Sequence, residues 1–436
     1  MDVNRRSFVQ SCATMLAAPL LGDRPALASI AAIERDVGLL RRILELHPGA
    51  LRYQSPMQLE AGLAHLGTAL AGSSSLDQQF LALQRFLSTL QCGHTYANFF
   101  NQTKEVQSAL FDRPTRLPFV FRWLGAQMVV TVDALDGDMP RGSVITAING
   151  VAPSAMLERL LPFTRADGAA PGKRKALLEV QNRSRFEYFD VFHGLIYGEP
   201  SGGMHTIAFR HPKGETKSLE AAPITLAQRQ EVARIAKSRG VGPRDDANRL
   251  GWRFVVRSGV GVLTMPTWAM YSTDWDWRSW LDDVLDEAAD LRGLIIDNRD
   301  NEGGLTEVRA LILSRLIRKP IQESVFRRLV KYRTVPEDLR PFMHTWDESF
   351  YLLGEQGVAV DGGFYELPSD TGNPATIEPR GRPVDTPSIL LTSPTNSSAT
   401  FQFAQAAKAT GRFTLIGEET GGSRKGINGD GFFFTT

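Results

Sequence analysis

The stretch from Pro387 to Gly422 constrains this chain more than any other. Ser388-Ile-Leu-Leu-Thr392 is a short apolar run bounded by turn residues, the pattern of a buried strand. A polar turn follows through Asn396-Ser-Ser398. From Ala399 onward alanine and phenylalanine recur in a helical composition, and Gly411 is suited to cap the helix end. Arg412 to Ile416 reads as a second strand. The order strand, turn, helix, strand places Ser397 and Ser398 where a strand passes into a helix. Main-chain N–H groups lack intrahelical partners there and the helix dipole favours negative charge. A serine oxygen can therefore be activated and an oxyanion held. The same position equally suits a serine that only caps the helix.

Strands and helices alternate upstream of this unit as well. Gly261 to Met265 reads as a strand, and Trp277, Trp280, Leu281, Val284, Leu285 and Ala288 form the apolar face of a helix. Arg292-Gly-Leu-Ile-Ile-Asp-Asn-Arg-Asp-Asn-Glu-Gly-Gly304 is a strand that runs into paired glycines, with a helix from about Thr306 to Arg318. Paired glycines before a helix expose backbone N–H groups. The Gly-Lys-Ser ending of a phosphate-binding loop is absent, so the geometry suits an oxyanion hole better than a phosphate cradle. Residues 319–382 are rich in proline and glycine and read as an arm or lid.

The first half reads differently. Helical spacing predicts helices from Ile30 to Leu44, around Met57 to Leu70 and over Leu76 to Leu90, the last ending in Cys92-Gly-His-Thr-Tyr96. His94 in that turn is by itself more often structural than catalytic. Pro118 to Trp123 and Gln127 to Val132 form an expected hairpin, followed by a strand, an Asn149-Gly150 turn and a helix from Ser154 to Leu161. This order resembles the carboxyl half of a PDZ domain, a module that binds peptide ends by strand addition. Residues up to about Ala221 are expected to continue β-rich, and Thr225 to Asn248 to form a polar, partly helical connection.

The N-terminus resembles an export signal. Arg5-Arg6 is followed by Ser7-Phe8-Val9, a modest apolar stretch from Cys12 to Leu21, and Ala26-Leu27-Ala28 as a cleavage site of small residues. Twin-arginine export to a periplasmic or secreted location is the expectation. Removal of the signal leaves Cys92 as the one cysteine, so no intramolecular disulfide and no paired-cysteine metal site is expected. Basic and acidic residues balance to a net charge of +1, which gives no reason to expect nucleic acid or an anionic membrane as partner.

Three segments together resemble the serine peptidase family of C-terminal processing (tail-specific) proteases, tricorn-core proteases and interphotoreceptor retinoid-binding protein repeats. They are Gly93-His94-Thr95, the Leu-Ile-Ile-Asp-x-Arg-x-Asn-x-Gly-Gly block at 294–304, and Ser398-Ala-Thr400 followed by Leu415-Ile-Gly-Glu-Glu-Thr-Gly-Gly422. The resemblance implies an α/β fold with a crotonase-like ββα spiral as catalytic core, preceded by a helical domain and a PDZ-like β domain. The expected boundaries are signal peptide 1–28, helical domain 29–112, PDZ-like domain 113–224, connection 225–250 and peptidase core 251–436. The resemblance also implies Ser398 as nucleophile, and an oxyanion hole from the N–H groups of Gly303 or Gly304 and Ala399.

The base is less plainly matched. Processing proteases pair the serine with a lysine, but Ser423 stands at that place here and Lys425 lies two residues further on. The tricorn-like branch uses a histidine before the PDZ region, and His94 fits that position. The acid of that branch comes from beyond the last strands, and the chain ends at Phe432-Phe-Phe-Thr-Thr436, so a truncated C-terminus is expected. Glu418 and Glu419 are substitutes by proximity in sequence alone. The expected activity is that of an exported serine peptidase acting on peptide or protein substrates without metal or other cofactor. The competing reading is a catalytically silent binder of peptides or hydrophobic ligands on the same scaffold. Acyl-CoA chemistry on the crotonase spiral fits poorly with an export signal.

Overall fold

The computed structural model describes residues 29–436 except 134–137, 182–183, 239–249, 272, 323–326, 369–375, 427–430 and 435–436. The export signal expected over residues 1–28 lies outside the described residues. The chain forms two compact units. One gathers Tyr53–Pro243 with the residues running up to Gly38, and the other gathers Leu39–Arg52 with Arg244–Thr436.

Helices α1 (Ile30–Leu46), whose residues from Leu39 on count with the second unit, and α2 (Pro56–Ala71) and α3 (Leu76–Thr89) of the first unit form where the apolar spacing predicts them. The start of α2 is fixed by a capping box. Ser55 Oγ accepts the Gln58 N–H while the Gln58 side chain accepts the Ser55 N–H, and Pro56 opens the helix. A further helix, α4 (Lys104–Phe111), is capped by Thr103. It is too short to show a clear period in sequence. The hairpin strands β1 (Phe119–Leu124) and β2 (Gln127–Asp133) are followed by β3 (Val144–Ile148) and α5 (Pro153–Leu160). Asn149 and Gly150 both take positive φ, the backbone that an Asn-Gly turn supplies at least cost.

Residues 171–197 depart from the β-rich expectation. Helices α6 (Pro171–Leu177) and α7 (Tyr188–Tyr197) occupy this region, and strands resume as β4 (His205–Arg210) and β5 (Thr216–Ala221). The aromatic and β-branched composition of α7 favours a strand locally. Yet residues 189–195 are all buried, Asp190 in an ion pair with Arg229, and a segment buried on every side satisfies its own backbone as a helix inside a core. The five strands form one antiparallel sheet in the order β1-β2-β3-β4-β5. Helix α8 (Leu226–Ser238) supplies the helical part of the expected connection.

The second unit is α/β. Strands β6 (Arg253–Arg257), β7 (Val260–Thr264) and β8 (Gly293–Asp297) alternate with helices α9 (Trp277–Ala288) and α10 (Glu307–Leu316). Then come β9 (Ser388–Thr392), α11 (Ser398–Thr410) and β10 (Phe413–Gly417). The sheet order is β10-β9-β8-β7-β6, parallel throughout except for the antiparallel edge strand β6. Leu263, Leu294, Ile296 and Leu390 are buried in the sheet against Trp277, Leu281, Leu285, Ile312 and Phe403 of the helices. Burial of each such side chain stabilises the unit by roughly 1.5–3 kcal/mol. The expected helix α9 buries Trp277, Leu281, Val284, Leu285 and Ala288, while Trp280 is half-buried against Trp252 and Trp275.

Residues 319–382 hold several short strand pairs: Ile321–Gln322 with Thr376–Ile377, and Leu329–Val330 and Val358–Val360 flanking Phe364–Glu366. Met343–His344 pairs with Phe433–Phe434. Asp282 and Asp286 stand one turn apart on α9 and Asp290 lies just past its end, where they meet Arg315, Arg380 and Arg382. This ladder ties the last part of the arm to the core.

Candidate active site

Parallel pairing of β8 and β9 puts the segments leaving both strands at the same edge of the sheet, the place where open α/β sheets bind ligands. Side-chain amides and hydroxyls join these two segments. Asn396 Nδ2 donates to the carbonyls of Asn298 and Asn301, the latter at 3.0 Å, and Asn396 Oδ1 accepts the Ser393 N–H at 2.8 Å. Thr400 Oγ donates to the Asn301 carbonyl at 3.0 Å, and Ser393 Oγ to the Arg299 carbonyl. Asn301 itself holds the glycine turn: its Nδ2 donates to the Met265 carbonyl and its Oδ1 accepts the Gly303 N–H, both at 2.8 Å. A loop buried this deeply would otherwise strand main-chain groups, so these asparagines do the work that water does for surface loops.

The serine pair resolves into two different environments. Ser397 occupies the N-cap position of α11 with extended backbone, but its hydroxyl donates to the Glu302 carbonyl at 3.1 Å and makes no cap bond. Ser398 is half-buried, opens the helix, and has φ of +51°. A left-handed φ costs a non-glycine residue roughly 1–3 kcal/mol and recurs at functional sites, where the surroundings enforce it. The turn at 303–304 supplies that enforcement. A Cβ on Gly303 would lie 2.9 Å from Ser398 Cβ and 3.1 Å from the Ala399 nitrogen, and one on Gly304 would overlap the Trp268 backbone at 2.0 Å. Both glycines also have positive φ, +112° and +134°. Here the chain needs glycine for close approach and for backbone conformation at once.

The main-chain donors at this point are not equivalent. The Gly303 N–H is engaged by Asn301, whereas neither the Gly304 nor the Ala399 N–H has a hydrogen-bond partner among the described residues. The charged residues nearby in sequence face outward or pair locally. Burial pushes the Asp297 carboxyl up, but its hydrogen bonds from Arg299 outweigh that and hold it below the usual carboxylate range.

Lys425 is exposed beside exposed Arg424, its N–H donating to Ser423 Oγ. Glu418 and Glu419 are exposed just past β10. The Glu418 main chain exchanges bonds with Thr392, N–H to carbonyl at 3.2 Å and Thr392 Oγ to carbonyl at 2.9 Å. His94 belongs to the other unit, half-buried in a turn whose preceding residue, Gly93, is bonded on both sides by residues 165 and 167. Sequence reasoning gave no role to Asn301 and Thr400, which stand in the quoted motifs, nor to Asn396 and Trp268. The asparagines carried a signal, since each stands within two residues of a proposed glycine or serine. Trp268 carried none.

Residues 259–428 match the model of peptidase family S41. That stretch contains β7 to β10, the glycine turn and Ser398. These residues belong to peptidase family S41. The chain is thereby a serine-type peptidase, a hydrolase. Among solved structures it is similar to mature CPAF complexed with lactacystin, with 17% identity over 90% of this chain and 85% of that one and a TM-score of 0.58. A second structure of mature CPAF gives 16% identity over 90% and 84% of the two chains, with a TM-score of 0.55. At this identity the likeness is one of fold, and it extends well beyond the family match into the first unit of the peptidase. No curated protein matches. The α/β fold class expected for the peptidase is the one observed. Among the described residues no helix is long and apolar enough to cross a membrane.

Proposed function

We propose that the peptidase cleaves peptide bonds through an acyl-enzyme on Ser398. The observation that carries this is the backbone of Ser398, left-handed at a strand-to-helix turn and packed closely against Gly303. His94 takes the proton of Ser398 Oγ as the hydroxyl attacks the substrate carbonyl. The Gly304 and Ala399 N–H groups receive the oxyanion, since the Gly303 N–H is already bonded to Asn301. His94 then protonates the leaving amine, and water, activated by the same imidazole, releases the acid product. Lys425 is left out of this scheme because it is exposed and stands two residues past the place of the dyad lysine.

The sheet of the first unit is read as PDZ-like, holding the end of a peptide substrate by strand addition. On the same reading the chain divides into a signal peptide at 1–28, a helical domain at 29–112, a PDZ-like domain at 113–224, a connection at 225–250 and a peptidase core at 251–436. The N-terminal Arg5-Arg6 segment is read as a twin-arginine signal that sends the peptidase to the periplasm or the medium. Exchange of both arginines for lysine is expected to leave precursor in the cytoplasm, and normal export of that variant would refute the signal. Hydrolysis of a denatured protein substrate tests the mechanism. Ser398→Ala and His94→Ala are expected to lose at least about a thousandfold in rate, while Lys425→Ala stays within a few-fold of the natural chain. The reverse pattern for His94 and Lys425 would assign the base to the lysine. No hydrolysis by any form would favour a silent binder.

A further inference from the structure

We propose that Asp167 is a positioning residue of the peptidase, a buried carboxylate that holds the Gly93-His94-Thr95 turn in its working shape. The inference rests on the reading of His94 as general base. Asp167 is 2% exposed, and its Oδ1 accepts the Gly93 N–H at 2.8 Å. The carboxylate lies flat on the Gly93 Cα: a Cβ there would stand 2.9 Å from Oδ2, 3.1 Å from Cγ and 3.2 Å from Oδ1. Gly93 is not among the residues with positive φ, so backbone conformation does not demand glycine at this place. The carboxylate does.

The rest of the segment completes the clamp. The Arg165 guanidinium donates to the Gly93 carbonyl while its Nε donates to Tyr188 Oη at 2.8 Å, and it lies 4.3 Å over the Tyr96 ring. The Gly168 N–H donates to the Gln91 carbonyl at 2.9 Å, and Gln91 is itself held at φ of +50°. Both main-chain polar groups of the residue before His94 are thus taken by charged side chains from one short segment. Charge-assisted bonds of this kind are the strong ones.

Asp167 Oδ2 makes no hydrogen bond among the described residues. Leaving a carboxylate oxygen buried and unbonded is costly, and this position carries that cost. A cost retained beside the histidine turn points to function instead of fold stability. The step at stake is geometric. An imidazole displaced by about 1 Å from its acceptor position can lose roughly a hundredfold in rate.

The test compares the full-length natural chain with Asp167→Ala, Asp167→Asn, Gly93→Ala and His94→Ala. It reads the limiting rate and half-saturation of fluorophosphonate labelling at Ser398, with the melting temperature of each variant. Asp167→Ala is expected to lower the limiting rate roughly 10- to 100-fold with half-saturation within about twofold. Asp167→Asn, whose amide oxygen can still accept the Gly93 N–H, should return to within about threefold of the natural rate. Gly93→Ala, which pushes a Cβ into the carboxylate, should fall like Asp167→Ala, and it reads the proposal if Asp167→Ala does not fold. A folded Asp167→Ala or Gly93→Ala that labels at the natural rate overturns the proposal, as does a melting temperature that falls while the rate per folded molecule holds. If His94→Ala labels normally, the reading of His94 falls and the proposal with it. If His94→Ala is silent while Asp167→Ala is fully active, the proposal alone falls.

Discussion

At the scale of single residues, the site is a problem of main-chain groups that must be satisfied without water. Asn301 takes the largest share, bonding Met265 on one side and Gly303 on the other while its own carbonyl serves Asn396 and Thr400. Asn301→Ala removes two buried bonds and strands their partners, at roughly 1–3 kcal/mol for each unsatisfied group. We expect a stable but weakened fold whose labelling rate falls at least about tenfold, because the glycine turn that shapes the proposed oxyanion site is released. Denaturant midpoints and labelling rates measured side by side would check this, and a folded variant with natural activity would refute it. The serines show how far sequence can reach at this scale. Their position between strand and helix was legible, because the apolar run and the glycine cap bracket it. Which serine takes which environment follows from a left-handed φ and a glycine contact far along the chain, and local composition carries no trace of either.

At the scale of elements, the strands and helices of the second unit follow their periodicity closely, with β9 running over Ser388–Thr392 as read from the sequence. Helix α7 does not, since tertiary burial overrides its strand-like composition. The same helix carries a marked pH dependence. His193 on α7 stacks on Phe189 and stands 5.9 Å from the His205 ring, which approaches Asn149 Nδ2 through Nδ1. Burial, and then the neighbouring His205, push His193 down to about 3, and burial lowers His205 as well. The folded chain therefore refuses protons that the unfolded chain accepts below about 6.5. The stability that this neutral pair permits is full above that pH and is lost as pH falls toward 3. For each histidine the loss is at most about 1.4 kcal/mol per pH unit. His193→Phe is expected to show a flatter fall of the unfolding midpoint between pH 7 and pH 4 than the natural chain. An unchanged slope would show that the pair does not govern acid stability.

At the scale of the whole molecule, Ser398 belongs to one compact unit and His94 to the other, and the arm between β8 and β9 is tied to the core by the aspartates on α9 and just past its end. Sequence made the α/β half legible because alternating apolar runs and glycine turns repeat there. The division into two units was not legible, since it depends on Leu39–Arg52 joining residues from Arg244 onward across most of the chain. The family match stops short of His94, so the base rests on chemistry and on the turn that holds it. The nucleophile rests on geometry that one measurement reaches directly. Full-length chain is treated with a fluorophosphonate and the adduct is located by peptide mass mapping. The account predicts one adduct on Ser398, its loss in Ser398→Ala, and its persistence in Ser397→Ala. An adduct on Ser397, or labelling that survives in Ser398→Ala, would contradict it.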